Sequence, residues 1–375
     1  MNANEDREQL TLAAPTFGDE AAEALKGVLA SGRLTDGPQV AAFEEAIAAL
    51  SGTAHAVACT SATTALQLVL AGLDLGAGAE VVVADFTYPA TGNAVIQRGG
   101  RLVLAEIDPK TWCIDPDALE DQISPATTAV IAVDPFGLPA DYERLEALTE
   151  QHGIPLICDA ACSLGGAIED RRSGSFGRAS CFSFHPRKLL TTGEGGMVTT
   201  DDRALAGRLR RLRNHGSRRE GWRAAFLEPG FNFRMSELQA ALGLVQIPSF
   251  EEVVQRRREL AAALSAMLED MEEITPQGVP RGHRHAYQSY VVRLDEVHDR
   301  DRVIEVLRGR RIESTLGTYA LHAEPAFAEH CGMKPGDLPV SWSTTTQTLA
   351  LPLHERLSES DLERVATELR AALRA

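Results

Sequence analysis

Short β-rich apolar runs recur through roughly the first 250 positions, at residues 55–58, 80–84, 101–105, 129–133, 154–158 and 179–182. Runs of this length and composition, bounded by Gly, Pro and polar clusters, read as buried strands. Between them, residues 61–73, 90–98 and 141–152 place apolar side chains at helical spacing. Strand–helix alternation predicts an α/β fold whose large domain has a mostly parallel sheet sandwiched by helices. In open sheets of this kind ligands gather beyond the carboxyl ends of the strands, so chemistry is expected just after the apolar runs.

Two helices precede the first strand. One covers residues 19–30 and stops at Gly32, a residue suited to the left-handed position that ends a helix. Pro38 suits the first turn of the next, at residues 39–50. A boundary falls near Pro248. Beyond it the pattern gives a long helix at residues 250–268, a Pro/Gly-rich stretch at 275–282, one strand at 287–294, a helix at 299–308 and a final helix at 360–374. The expected division is a large domain over residues 1–248, including the N-terminal helical segment, and a smaller C-terminal α+β domain over 249–375. No internal repeat is present.

Composition narrows the function. Of the 375 residues 44% are hydrophobic and 24% charged, the balance of a globular protein, and no stretch approaches the ~20 apolar residues that cross a bilayer. Residues 1–10, MNANEDREQL, are too polar and acidic for a signal or transit peptide, so a cytoplasmic location is expected. A net charge of −16 disfavours nucleic acid and anionic membranes as partners, yet leaves room for a locally basic pocket. The six cysteines are irregularly spaced among apolar neighbours and read as free thiols. Cys158 and Cys162 lack a second pair, so no zinc or other metal site is expected.

Three segments carry candidate chemistry. Residues 154–159 form an apolar run ending in Asp159, which by itself reads as a helix cap or turn residue. Residues 181–188, Cys-Phe-Ser-Phe-His-Pro-Arg-Lys, end another run and lead into Thr-Thr-Gly-Glu-Gly-Gly at 191–196. Lys188 in that Gly-rich loop has no packing role, although an exposed loop lysine is the plain alternative. Residues 59–66 pass from strand to helix through small and hydroxyl residues; free amides at such a helix start form an anion site, and ordinary N-capping accounts for the same composition. Together they match pyridoxal phosphate, which needs a lysine for a Schiff base, an acid facing its pyridine nitrogen and a phosphate cradle. Phe86-Thr87-Tyr88, just after a predicted strand, offers an aromatic face.

From about Thr35 to Pro352 the chain resembles the DegT/StrS-type sugar aminotransferases, a branch of the aspartate-aminotransferase-like pyridoxal-phosphate enzymes. The matches run in order through Gly37-Pro38, Phe43-Glu44, Ser61-Ala62-Thr63, Phe86-Thr87-Tyr88, Asp159-Ala-Ala, the Gly174–Gly177 and Ser183–Lys188 segments, Gly193–Gly196, Arg213–Gly216, Phe231–Arg234 and Glu237–Ala240. The resemblance implies that Lys188 carries the cofactor and shuttles the proton, and that Asp159 pairs with the pyridine nitrogen. It implies that Tyr88 stacks on the ring, that the Ala62 and Thr63 amides and the Ser183 hydroxyl hold the phosphate, and that Asn232 reaches the phosphate of a neighbouring subunit. A homodimer with shared active sites would follow.

Two departures bear on this. Relatives often place Gln or His three residues after the Asp, where this chain has Cys162, a poorer hydrogen-bonding group that reads equally as a buried filler. Some relatives have His in place of the lysine and carry out deoxygenation; Lys188 favours transamination. His215, Arg218, His285, Tyr287, Tyr290, Tyr319 and His322 are further candidates for substrate contact, each open to a solvent-exposed or core reading. The expected function is transfer of an amino group, from glutamate by resemblance, onto a keto-sugar carried by a nucleotide. A ketocyclitol aminotransferase, a dehydratase or an aromatic-amine synthase keeps the same cofactor. A non-catalytic regulator is the reading from another class, and the intact Lys188, Asp159 and Ser183 set argues against it.

Overall fold

Each of the six apolar runs becomes a strand, its ends within two residues of the expected ones, and a seventh strand joins them in one sheet. In the computed structural model, which describes residues 8–374, the strands are β1 (His55–Cys59), β2 (Glu80–Ala84), β3 (Arg101–Ala105), β4 (Thr127–Val133), β5 (Leu156–Asp159), β6 (Ala179–Ser183) and β7 (Gly196–Thr200). Their order across the sheet is β1-β7-β6-β5-β4-β2-β3. Pairing is parallel from β6 through β3, and β7 alone runs antiparallel to both its neighbours.

Alternating side chains explain why these runs are apolar throughout. Val57, Val81, Val83, Ile131 and Ile157 enter one core with helix α3, while Val82, Val130, Ala132 and Cys158 enter another on the opposite face. Both faces are covered by helices, so the central strands are apolar except where a polar side chain finds a buried partner, as Ser180 does in the Phe176 carbonyl. The helices before and between the first strands are α1 (Asp19–Ser31), α2 (Pro38–Ser51), α3 (Ala62–Gly72) and α4 (Ala90–Ile96). Helix α1 ends as expected on Gly32, whose φ of 67° lies in the left-handed region. Gly37, just before α2, packs so closely on Glu237 that a Cβ would fall 2.3 Å from its carboxylate, and that carboxylate accepts the amides of Gly37, Gln39 and Val40.

The later part of the chain contains more sheet than its sequence predicts. Instead of one strand at 287–294 there are four, β8 (Ile274–Pro276), β9 (Tyr290–Leu294), β10 (Thr315–Leu316) and β11 (Thr348–Leu351), in the order β8-β9-β11-β10 and antiparallel throughout. Strand β9 starts three residues late because Tyr287 has a φ of 52°, which an extended strand does not accommodate. The helices Phe250–Leu268, Arg300–Gly309 and Glu359–Leu373 pack on this sheet, and Leu10 joins the same core from the other end of the chain.

Arg257, on the first of those helices, is 3% exposed and donates from Nη1 to the carbonyls of Tyr287, Gln288 and Leu353. The chain also returns to the first sheet: Tyr319–Ala320 pairs with Phe86–Thr87, and Leu321 and Phe327 enter the core around α3. Residues 1–7, most of the polar stretch expected at the N-terminus, lie outside the described residues. No helix among the described residues is long and apolar enough to cross a membrane.

Candidate active site

Strands β1, β6 and β5 end, and β7 begins, along one edge of the large sheet, and five of the seven predicted site residues lie on or just beyond that edge. Register makes this concrete: Cys59 faces Gly196, Gly196 faces Ser183, and Asp159 is level with Cys181 on β6. Gly196 is obligatory here. A Cβ would lie 2.2 Å from the carbonyl oxygen of Ser61 and 2.8 Å from the amide of Ala62, so the start of α3 rests directly on the backbone of β7.

Helix α3 opens with a capping box. The Ser61 hydroxyl accepts the Thr64 amide at 3.2 Å, and the Thr64 hydroxyl accepts the Ser61 amide at 2.9 Å. The amides of Ala62 and Thr63 lie ahead of the intrahelical ladder and remain free for an anion. Ser183, at the end of β6, accepts the His185 amide at 3.4 Å and keeps its own hydroxyl proton to donate.

Asp159 is buried, with a donor on each oxygen. Thr91 of α4 donates to Oδ2 at 2.7 Å and the Ala161 amide to Oδ1 at 3.2 Å. Burial pushes its carboxyl above the ordinary carboxylate range; the Thr91 hydroxyl, the Ala161 amide and the charge of Lys188 act in the other direction. Lys188 follows a turn in which its amide bonds the His185 carbonyl at 2.9 Å, and its Nζ lies 3.0 Å from Cys162 Sγ. The lysine loop is pinned at both ends. Gln288 donates to the Arg187 carbonyl, and Gln246 both accepts from and donates to the Thr191 backbone.

Beside Asp159, the end of β4 carries Asp134, which is buried and accepts from Ser163 Oγ at 2.5 Å, the Tyr142 hydroxyl at 2.7 Å and the Ala140 amide at 3.0 Å. Burial nevertheless raises its carboxyl to about 7. The Asp134 amide bonds the Asp159 carbonyl at 3.1 Å, and Ser163 follows Cys162, so this network fixes the turn that runs from Asp159 to Cys162.

Tyr88 is 67% exposed, with its ring 6.4 Å from that of Tyr319 at an interplanar angle of 60°. Asn232 is exposed, on a stretch bridged through its backbone to Asn214. Among the other candidates, His285 is a buried neutral ring. Its Nδ1 accepts the Tyr287 amide at 2.7 Å, its Nε2 pairs with Gln277 at 3.0 Å, and burial lowers its pKa to about 3. Tyr290 belongs to the second core and bonds Ser265. His322 is buried against Asp85, with Nδ1 2.6 Å from Oδ2. His215 and Arg218 are exposed, and Arg218 pairs with Glu220.

Thr91, Asp134 and Asp85 went unread in the sequence. Thr91 sits in a run of small residues with no spacing signal; Asp134 and Asp85, each directly after an apolar run, had the same signal as Asp159. Among the described residues no group of three or more His, Cys, Asp or Glu is placed to hold a metal ion. The donor set fits pyridoxal phosphate: a primary amine, a buried carboxylate held from two sides, and free helix-start amides with a hydroxyl beside them.

Comparison with known proteins agrees. Residues 15–370 match the model of the DegT/DnrJ/EryC1/StrS aminotransferase family. The spore coat polysaccharide biosynthesis protein SpsC of Bacillus subtilis (strain 168) is 34% identical over 369 residues, covering 95% of each chain. The structure of DesI in the presence of its TDP-sugar product superposes with a TM-score of 0.89 at 34% identity, covering 98% of this chain and 94% of that one. The PLP form of Streptococcus pneumoniae Spr1654 superposes with a TM-score of 0.93 at 25% identity, covering 98% of this chain and 99% of that one.

Proposed function

The chain belongs to the DegT/DnrJ/EryC1/StrS aminotransferase family and is a pyridoxal-phosphate-dependent sugar aminotransferase; from that premise we propose that it moves the amino group of glutamate onto a keto-sugar carried by a nucleotide. The observation that carries the reading is the pairing of a doubly hydrogen-bonded, buried Asp159 with Lys188 at one sheet edge. The DesI structure, with its TDP-sugar product, supports the nucleotide link.

When bound, the cofactor supplies a carbonyl that exchanges amino groups and a protonated ring that accepts electrons from the carbon losing its proton. Asp159 holds that ring's nitrogen protonated, because a carboxylate beside it offsets the positive charge. The Ala62 and Thr63 amides and the Ser183 hydroxyl hold the phosphate, and Tyr88 covers a face of the ring. Lys188 Nζ carries the cofactor between turnovers. The Lys188 amine would also move the proton at the substrate carbon, as a general base and then acid. Asn232, exposed on its own subunit, completes the phosphate site of a partner in a homodimer.

Product analysis by mass spectrometry tests the substrate class. Nucleotide-linked 3-keto and 4-keto sugars and keto-cyclitols are offered separately with glutamate. A gain of the amino group by a nucleotide-linked sugar, with 2-oxoglutarate formed in equal amount, is the expected result. Amination of a cyclitol alone, or no transfer from glutamate to any of them, overturns it.

A further inference from the structure

Thr91 is wholly buried in α4, on a different element from Asp159, and its hydroxyl oxygen lies 2.7 Å from Asp159 Oδ2 and 2.9 Å from Thr87 Oγ1. A carboxylate only accepts hydrogen bonds, so the single Thr91 proton goes to Asp159 and the Thr91 oxygen accepts from Thr87. The Tyr88 carbonyl, at 3.3 Å, is the longer and weaker alternative for that proton.

Thr87 is itself fixed, since its backbone is paired with Tyr319. A chain of hydroxyls therefore runs from the Phe86–Thr87 strand through Thr91 to Asp159. Because the Ala161 amide occupies the other oxygen, the plane of the carboxylate is set from two elements at once. Valine has the shape of threonine, so packing alone does not call for hydroxyls at these two buried positions, and a buried hydroxyl without a partner is destabilising.

We infer that Thr91 is a positioning residue for amino transfer: its hydroxyl, supported by Thr87, keeps the Asp159 carboxylate charged and turned toward the ring nitrogen of the bound cofactor. The inference rests on the reading above that Asp159 faces that nitrogen. It makes Phe86-Thr87-Tyr88 and the start of α4 one unit that serves both the face of the ring and its nitrogen.

The test is ¹⁵N NMR of enzyme loaded with cofactor labelled at the ring nitrogen, at one neutral pH, with the cofactor dissociation constant measured by equilibrium dialysis. Wild-type enzyme shows the resonance of a protonated nitrogen. Thr91→Val moves it toward the unprotonated position and weakens cofactor retention about tenfold, the size expected for one hydrogen bond to a charged group. Thr91→Ser restores both. Thr87→Val shifts both in the same direction by less, and decides the question should Thr91→Val fold poorly.

Asp159→Asn serves as the control. If it shifts the resonance while the folded Thr91→Val, or Thr87→Val in its place, does not, the role of Thr91 is overturned and that of Asp159 stands. If Asp159→Asn leaves the resonance in place, Asp159 does not face the ring, and both readings fall.

Discussion

The amine of Lys188 lies 3.0 Å from the sulfur of Cys162, three residues after Asp159. The thiol is half-buried, whereas Cys59, Cys113, Cys158 and Cys181 are buried, and Cys331 is the other partly accessible cysteine. Burial also raises the thiols of Cys59, Cys113, Cys158 and Cys181, which keeps them protonated and slow to react.

Alkylation of the native protein, read by peptide mass spectrometry, should therefore mark Cys162 first, the partly accessible Cys331 more slowly because burial raises its thiol to about 11, and spare the other four. Loading with pyridoxal phosphate should protect Cys162 and leave Cys331 unchanged. Equal protection of both, or of neither, would separate Cys162 from the cofactor site.

Asp134 gives a prediction in pH. Its folded-state carboxyl is raised to about 7 by burial, from an ordinary 3.8. The folded protein thus holds a proton that the unfolded chain releases. The stabilisation this gives is complete below about 4 and is lost as pH rises through about 7. Asp134→Asn does not titrate, and its amide nitrogen can donate to the Ser163 oxygen. Between pH 5 and pH 8 the wild type should lose on the order of 1 kcal/mol or more relative to that variant, measured by urea unfolding. A constant difference across that range would mean that the three donors around Asp134 outweigh its burial.

Asp159 and Lys188 were legible in the chain, whereas Asp134 was not. Strands β1 to β6 could be read because a parallel sheet buries both faces and leaves continuous apolar runs. Asp159 and Lys188 could be read because each ends such a run at the ligand edge. The small sheet was hidden: β10 is two residues long, and Thr348–Leu351 follows a polar helix with only four residues of signal. Thr91 was hidden for a different reason. Its role depends on α4 crossing to Asp159 over a sequence separation of 68, and no local pattern carries that distance. The Glu44 of the family-like motif gains a physical reason, since it accepts the Ala58 amide and pairs with Arg213 beneath β1.

Asn232 makes the assembly testable. Lys188→Ala protein and a bulky Asn232 variant are each expected to be inactive at limiting cofactor. After subunit exchange, a site built across the dimer puts both defects in one site of the mixed dimer and leaves the other native. Activity should return to about a quarter of wild type, because half the dimers are mixed and each has one good site. No recovery, with exchange confirmed by mass spectrometry, would place Asn232 in its own subunit's site or outside any.

If Lys188 holds the cofactor, borohydride reduction will fix it there. Protein incubated with pyridoxal phosphate should absorb in the visible range, and borohydride should abolish that absorbance and fix the label covalently. Peptide mapping should then find the label on Lys188, and Lys188→Ala should take up none while keeping its fold. A label on any other lysine, or no chromophore in the wild type, would show that Lys188 does not hold the cofactor.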